Sequence, residues 1–142
     1  MKRIFRLLAI PALIATLAAP LGASAQTADE AAAIEDTIRG QIAAMQNDDW
    51  TEAFTYASPT IQRMFENPEK FSRMVTNGYP MVWRPRSYRV GEIVSTPEGL
   101  VQTMIFEDQQ GRLFIADYQM QLVDGEWRIN GVRIRPAPEQ TA

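Results

Sequence analysis

The chain has 142 residues, 14 Lys and Arg against 17 Asp and Glu, a net charge of −3, and neither His nor Cys. These counts exclude disulfide staples, thiol nucleophiles, Ser-His-Asp and Cys-His catalysis and the usual zinc and copper ligands. A net-acidic chain also argues against nucleic acid or anionic lipid as a general partner.

The chain opens with Lys2, Arg3 and Arg6, then an apolar run from Leu7 to Leu21, then Ala23-Ser24-Ala25. A basic start, a short apolar run and a small-x-small exit are the pattern of a cleaved secretory signal. Residues 1–25 are therefore expected to be removed after Ala25, leaving a periplasmic or secreted protein. No Cys follows the run, which excludes a lipoprotein anchor. No later stretch reaches the ~20 apolar residues of a bilayer span, so no stable membrane anchor is expected after cleavage. Loss of the three signal cations takes the basic count from 14 to 11 against 17 acids, a mature charge of about −6. Residues 26–136 suffice for one α+β domain with a real core, and the polar tail, 137–142, is expected to fray.

Thr27-Ala28-Asp29-Glu30 reads as a capping box. Ile34, Ile38, Ile42 and Met45 follow at helical spacing and predict an amphipathic helix of about four turns. Gly40 inside it costs ~1 kcal/mol relative to Ala and marks a close approach of another element. Asp48 and Asp49 read as helix caps, and Trp50, Ala53, Phe54 and Ala57 give a second, short helix. Ser58-Pro59 and Asn67-Pro68 each set a capping side chain before a proline at the first helical position, which predicts two more. Asn77-Gly78 stops the last of them. Tyr79-Pro80 forces an extended or turn geometry, with a cis bond open to it. Met81 to Arg89 is broken by Pro85 and is expected as an edge strand or crossover.

Tyr88 to Ser95 and Leu100 to Glu107 read as strands around a Thr96-Pro97-Glu98-Gly99 turn. Arg112 to Val123 and Glu126 to Arg135 then form a long hairpin about Asp124-Gly125, a strong turn signal because both central residues need positive φ. Phe114, Ala116, Tyr118, Met120 and Leu122 share its apolar face. Leu113, Ile115 and Val123 lie on the mixed face, the expected surface of a homodimer. The parity of Trp127 and Ile129 differs from that of Val132 and Ile134, which predicts a bulge at Asn130-Gly131. The whole predicts an α+β fold: N-terminal helices in the concave face of a bent antiparallel meander of about four strands.

Asn47-Asp48-Asp49-Trp50, Ala53-Phe54 and Asp124-Gly125-Glu126-Trp127-Arg128-Ile129 resemble the cystatin-like cone of nuclear transport factor 2, ketosteroid isomerase and many polyketide cyclases. The run from Met64-Phe65 through Pro68, Phe71 and Met74-Val75 to Gly78-Tyr79-Pro80-Met81-Val82-Trp83-Arg84-Pro85 resembles a family of short exported bacterial proteins described only as a domain of unknown function. The resemblance implies a cone with a pocket between helices and sheet. Isomerase-type members use an Asp base with a Tyr and a protonated Asp as oxyanion donors. Here Asp117 and Tyr118 are adjacent on a strand and point to opposite faces, so that arrangement is not met.

Tyr79, Trp83 and Arg84, where helices hand over to sheet, are the candidate ligand-binding residues: two aromatics and a guanidinium suit a planar, apolar or anionic small molecule. Against this, Trp83 can plug the cone and Arg84 can pair with Asp117 or Glu107. Tyr118, facing the cone, is the fourth candidate, set against a core tyrosine with its hydroxyl at the rim. Arg84, Arg86 and Arg89 need not meet Arg133 and Arg135, which a simple meander places at the opposite edge. Met64, Met74, Met81, Met104 and Met120 read as adaptable core. No catalytic residue, metal site or cofactor is expected. The favoured function is an exported non-catalytic small-molecule-binding or accessory domain. The alternatives are a cofactor-free isomerase or cyclase using a cavity carboxylate, and a cell-envelope interaction module whose edge near Met81–Pro85 accepts a partner strand.

Overall fold

The computed structural model describes residues 28–138. The signal segment, Thr27 of the capping box and the end of the tail lie outside them.

Helix α1 runs Ala28–Gln46, and its spacing buries Ile34, Ile38, Ile42 and Met45 along one side. Each of these side chains contributes about 1.5–3 kcal/mol by leaving water. The expected cap at Asp49 is present: its side chain accepts the Glu52 N–H and starts α2, Trp50–Thr55. Ser58 and Asn67 do the same for α3, Pro59–Phe65, and α4, Pro68–Gly78, each with proline in the first turn. Gly40 is the close approach the sequence marks. A Cβ there would lie 2.7 Å from the Tyr56 hydroxyl oxygen.

Pro80–Trp83 is a helical turn, α5, so of the two expectations the edge strand is not met, while the segment does cross from the helices to the sheet. The Tyr79 carbonyl accepts the N–H groups of Val82 and Trp83 at 3.0 and 3.2 Å. Proline suits the first position of a turn because its missing N–H has no partner there anyway. The strand begins later, at Ser87, so the Met81–Pro85 segment presents no strand edge. No cis peptide bond occurs among the described residues.

Strands β1 (Ser87–Thr96), β2 (Gly99–Glu107), β3 (Leu113–Val123) and β4 (Glu126–Pro136) form one antiparallel sheet in the order β1-β2-β3-β4. The fold is therefore α+β, helices first and an open four-stranded meander after them. Asp124 and Gly125 have φ of 50° and 80°, as the hairpin turn requires. Gln119 pairs with Gly131 and Met120 with Ile129, so Asn130 is the extra residue of the expected bulge. A second irregularity falls between Val90 and Ile93 on β1. Both bend the sheet.

Met104, Phe106, Ala116, Tyr118, Met120 and Ile129 are buried with the α1 isoleucines, Ala53, Phe71, Val75 and Val82 in one core. Leu122 shares their parity but is 55 % exposed. The β4 side is closed by the chain between α2 and α3: Ile129 N–H donates to the Tyr56 carbonyl at 2.9 Å and Ser58 N–H to the Ile129 carbonyl at 2.8 Å. The Ser58 hydroxyl also bonds the Asn130 side-chain oxygen at 2.7 Å, tying the bulge to the helix layer.

Candidate functional site

The helices do not fill the space beside β4. A cavity of about 280 Å³ is bounded by Gln41 and Met45 of α1, Ile61, Met64 and Phe65 of α3, Phe71, Met74 and Val75 of α4, Tyr79 and Val82 near α5, and Ile129, Gly131 and Val132 of β4. Small residues on the wall explain part of the room: Ala57 and the bulge-flanking Gly131 both line it. The rest follows from α3, which buries no residue of its own. Met64 lines the cavity and is 63 % exposed, so the cavity reaches the surface there. Flexible Met side chains can move aside for an occupant.

None of the lining residues is charged. Gln41 and Tyr79 are the two lining residues whose side chains carry oxygen or nitrogen. Gln41 is 4 % exposed, and its amide nitrogen donates to the Ala53 carbonyl at 3.2 Å. That bond sets the amide orientation, since reversing it would press two oxygens together. Its Oε1 accepts no hydrogen bond from a described residue. Nor is it sealed, because Tyr118 Oη is the one fully buried, unpartnered side-chain oxygen or nitrogen among the described residues. Gln41 Oε1 therefore keeps some accessible surface, on a residue that lines the cavity.

The four sequence candidates fall in three different places. Tyr79 lines the apolar cavity. Trp83 and Arg84 line a separate groove of about 210 Å³, with Pro80, Met81, Asp108, Gln109, Gln110 and Arg112. Tyr118 borders neither.

Trp83 and Arg84 are occupied with each other and with the end of α1. The indole N–H lies 3.1 Å from both the Met45 carbonyl and Asp48 Oδ1, and Arg84 Nη2 donates to Asp48 Oδ2 at 2.8 Å. The guanidinium sits over the Trp83 ring at 4.7 Å, and Trp50 packs on the same indole at 6.2 Å. The expected partners of Arg84 belong elsewhere: Asp117 pairs with Arg135 at 2.9 Å and Glu107 with Arg86 at 3.4 Å. Asp48 caps the C-terminus of α1 at a φ of 55°, its N–H donating to the Met45 carbonyl and the Asp49 N–H to the Ala44 carbonyl, and its side chain is also the acceptor that locks this corner.

The other wall of the groove is equally closed. Asp108 is buried and accepts the N–H groups of Gln110 and Arg112 at 3.0 and 2.8 Å and the Arg112 Nε at 2.8 Å. Desolvation pushes its carboxyl up, but the Arg112 backbone and guanidinium and the Gln110 amide outweigh that and hold it below the usual carboxylate value. Gln109 spans the groove to the Arg84 carbonyl at 3.0 Å.

Tyr118 corrects the expectation of a rim hydroxyl. It is fully buried, against Phe106 at 6.5 Å between ring centres, and its hydroxyl has no partner among the described residues. Burial pushes its phenol far above the ordinary value, with Tyr88 adding to the shift.

Among the described residues no group of three or more Asp and Glu side chains could hold a metal ion, and no helix is long and apolar enough to cross a membrane. Sequence reasoning missed Gln41, Ile61 and Val132. Nothing local marks them: each reads as an ordinary core or helix position until α3 is placed beside β4.

No curated protein matches the chain. Residues 27–142 match the model of the family described as Domain of unknown function (DUF4864), and the chain belongs to that family.

Proposed function

We propose that this is an exported, non-catalytic binding or accessory domain that holds a small molecule in the cavity between α1, α3, α4 and β4. The observation that carries this reading is the cavity itself: about 280 Å³, open beside Met64 and lined without a single charge. Its size lies near the lower end of small-molecule sites, ~300–1,000 Å³. A void of this kind forfeits packing contacts that a bound molecule would restore. The isomerase or cyclase alternative needs a carboxylate at the cavity, and none of the lining residues is Asp or Glu. Export is supported by the basic start, the apolar run and Ala23-Ser24-Ala25, and the family match begins at residue 27, just past the expected cleavage at Ala25. Self-association through the outer face of the β3–β4 hairpin belongs to the same proposal. It is supported by Leu113 at 37 % exposure beside Ile115 on that face.

Native mass spectrometry of the protein isolated from its own cell envelope or medium tests the binding reading. A reproducible added mass, absent from an Ile61→Trp variant, supports it. The apo mass alone, with no response of the cavity methionines to added apolar probes, overturns it. Sedimentation showing only monomer at high micromolar concentration removes the homodimer.

A further inference from the structure

We infer that the cavity selects an uncharged amphiphile of on the order of ten non-hydrogen atoms whose hydroxyl or N–H donates to Gln41 Oε1. This deepens the binding reading above and rests on it.

The size follows from comparison of volumes. An apolar cavity of about 150 Å³ accepts benzene, so 280 Å³ accommodates a molecule nearly twice as large. The charge follows from the wall. A carboxylate or ammonium taken into an apolar site without a paired ion is strongly disfavoured, and no Lys, Arg, Asp or Glu is among the lining residues. The polar end follows from Gln41. Its Nε2 is engaged by the Ala53 carbonyl, its Oε1 has no protein donor among the described residues, and the residue is 96 % removed from solvent. A deeply buried acceptor that keeps some accessible surface rewards a ligand that brings a donor and rejects one that brings only another acceptor. An anionic ligand, expected while Arg84 stood as a site residue, loses its reason, because Arg84 is paired with Asp48 outside the cavity.

Three probes separate these claims: 1-octanol, its isomer heptyl methyl ether, which has the same size but no donor, and octanoate. Binding is followed through the methyl carbon signals of Met64 and Met74 in protein labelled at methionine. We expect octanol to bind about tenfold more tightly than the ether, the effect of one buried hydrogen bond, and octanoate at pH 7 to bind more weakly than octanol. Gln41→Met should bring octanol down to the level of the ether, and Tyr79→Phe, which removes the other polar side chain of the wall, should reduce the preference less than Gln41→Met does. Equal binding of octanol and ether, equal binding of octanoate and octanol, or a preference lost in Tyr79→Phe and kept in Gln41→Met overturns the inference while the cavity reading stands. No methyl response to any probe overturns both. Should Gln41→Met fail to fold, the wild-type comparison and Tyr79→Phe still decide.

Discussion

The cavity beside β4 and the Trp83–Arg84 groove, about 280 and 210 Å³, differ in what their walls have left to offer. In the Trp83–Arg84 groove five polar side chains are engaged: indole to Asp48 and Met45, guanidinium to Asp48, Asp108 to Arg112 and the loop backbone, Gln109 to the Arg84 carbonyl. In the cavity beside β4 the wall is apolar, and its deepest polar group keeps an unused acceptor. A cluster of aromatic and charged residues thus proves to be a clasp between α1, α5 and the β2–β3 turn. The more receptive surface is made of Met, Ile, Val and Gly. Residues that attract the eye in a sequence do so through chemistry that can be satisfied internally; a binding site requires that it is not.

The largest expected effect falls on the clasp. Trp83→Ala should lose about 3 kcal/mol of stability in urea unfolding, because the ring holds Trp50, Arg84 and the end of α1 together. The refolded variant should bind cavity probes as the wild type does. Loss of binding with retained stability would return Trp83 to the site. Ile61→Trp, which fills the cavity from α3, should do the reverse: binding falls more than about tenfold, and stability changes by less than about 1–3 kcal/mol.

Tyr118→Phe tests the core itself. The variant removes a buried hydroxyl with no partner among the described residues, so it should gain up to about 1 kcal/mol, where loss of a bonded hydroxyl would cost as much. The pH dependence has a definite sign. The folded state keeps the phenolic proton to a higher pH than the unfolded chain does, because burial raises the folded value. Unfolding then releases a proton above pH ~10, and stability falls as pH rises through that range. Alkaline unfolding of Tyr118→Phe should be correspondingly less steep.

Smaller effects come from the two carboxylates of the clasp. Asp48→Asn keeps an acceptor for the indole and tolerates the positive φ, losing only an ion pair that is about half exposed on both sides. It should cost less than ~1 kcal/mol, whereas Asp48→Ala, lacking the acceptor, should cost more. Asp108 is held below its ordinary value when folded. Its contribution is present above the unfolded carboxylate value and is lost as pH falls through the folded one. Wild type and Asp108→Asn should therefore differ at neutral pH and converge in acid, read from unfolding midpoints across the pH series.

Much of the architecture is legible before any tertiary contact is known, because it rests on rules that act within a few residues. Ser58-Pro59 and Asn67-Pro68 start helices through their own side chains, Asp124-Gly125 turns the hairpin through its own φ angles, and the parity break around Asn130 forces the bulge. The strand spans agree with expectation to within a residue or two for the same reason. Met81 to Arg89 misleads because Pro85 suits an edge strand as well as the link after a helical turn that Pro80 opens. The choice between them lies with the Tyr79 carbonyl and with Met45 and Asp48, about 35 residues upstream of the tryptophan they hold.

The candidate site belongs almost wholly to this second class. Gln41 and Val132 are far apart in the chain and share a wall only because α1 and β4 pack together. Whether Tyr118 finds a partner, whether Arg84 meets Asp48 or Asp117, and whether α3 fills the space over Gly131 all depend on distances between elements. Propensity, capping and side-chain alternation act along the chain and settle helices, turns and faces. A cavity is the space left between faces, and only their packing in three dimensions decides where it lies.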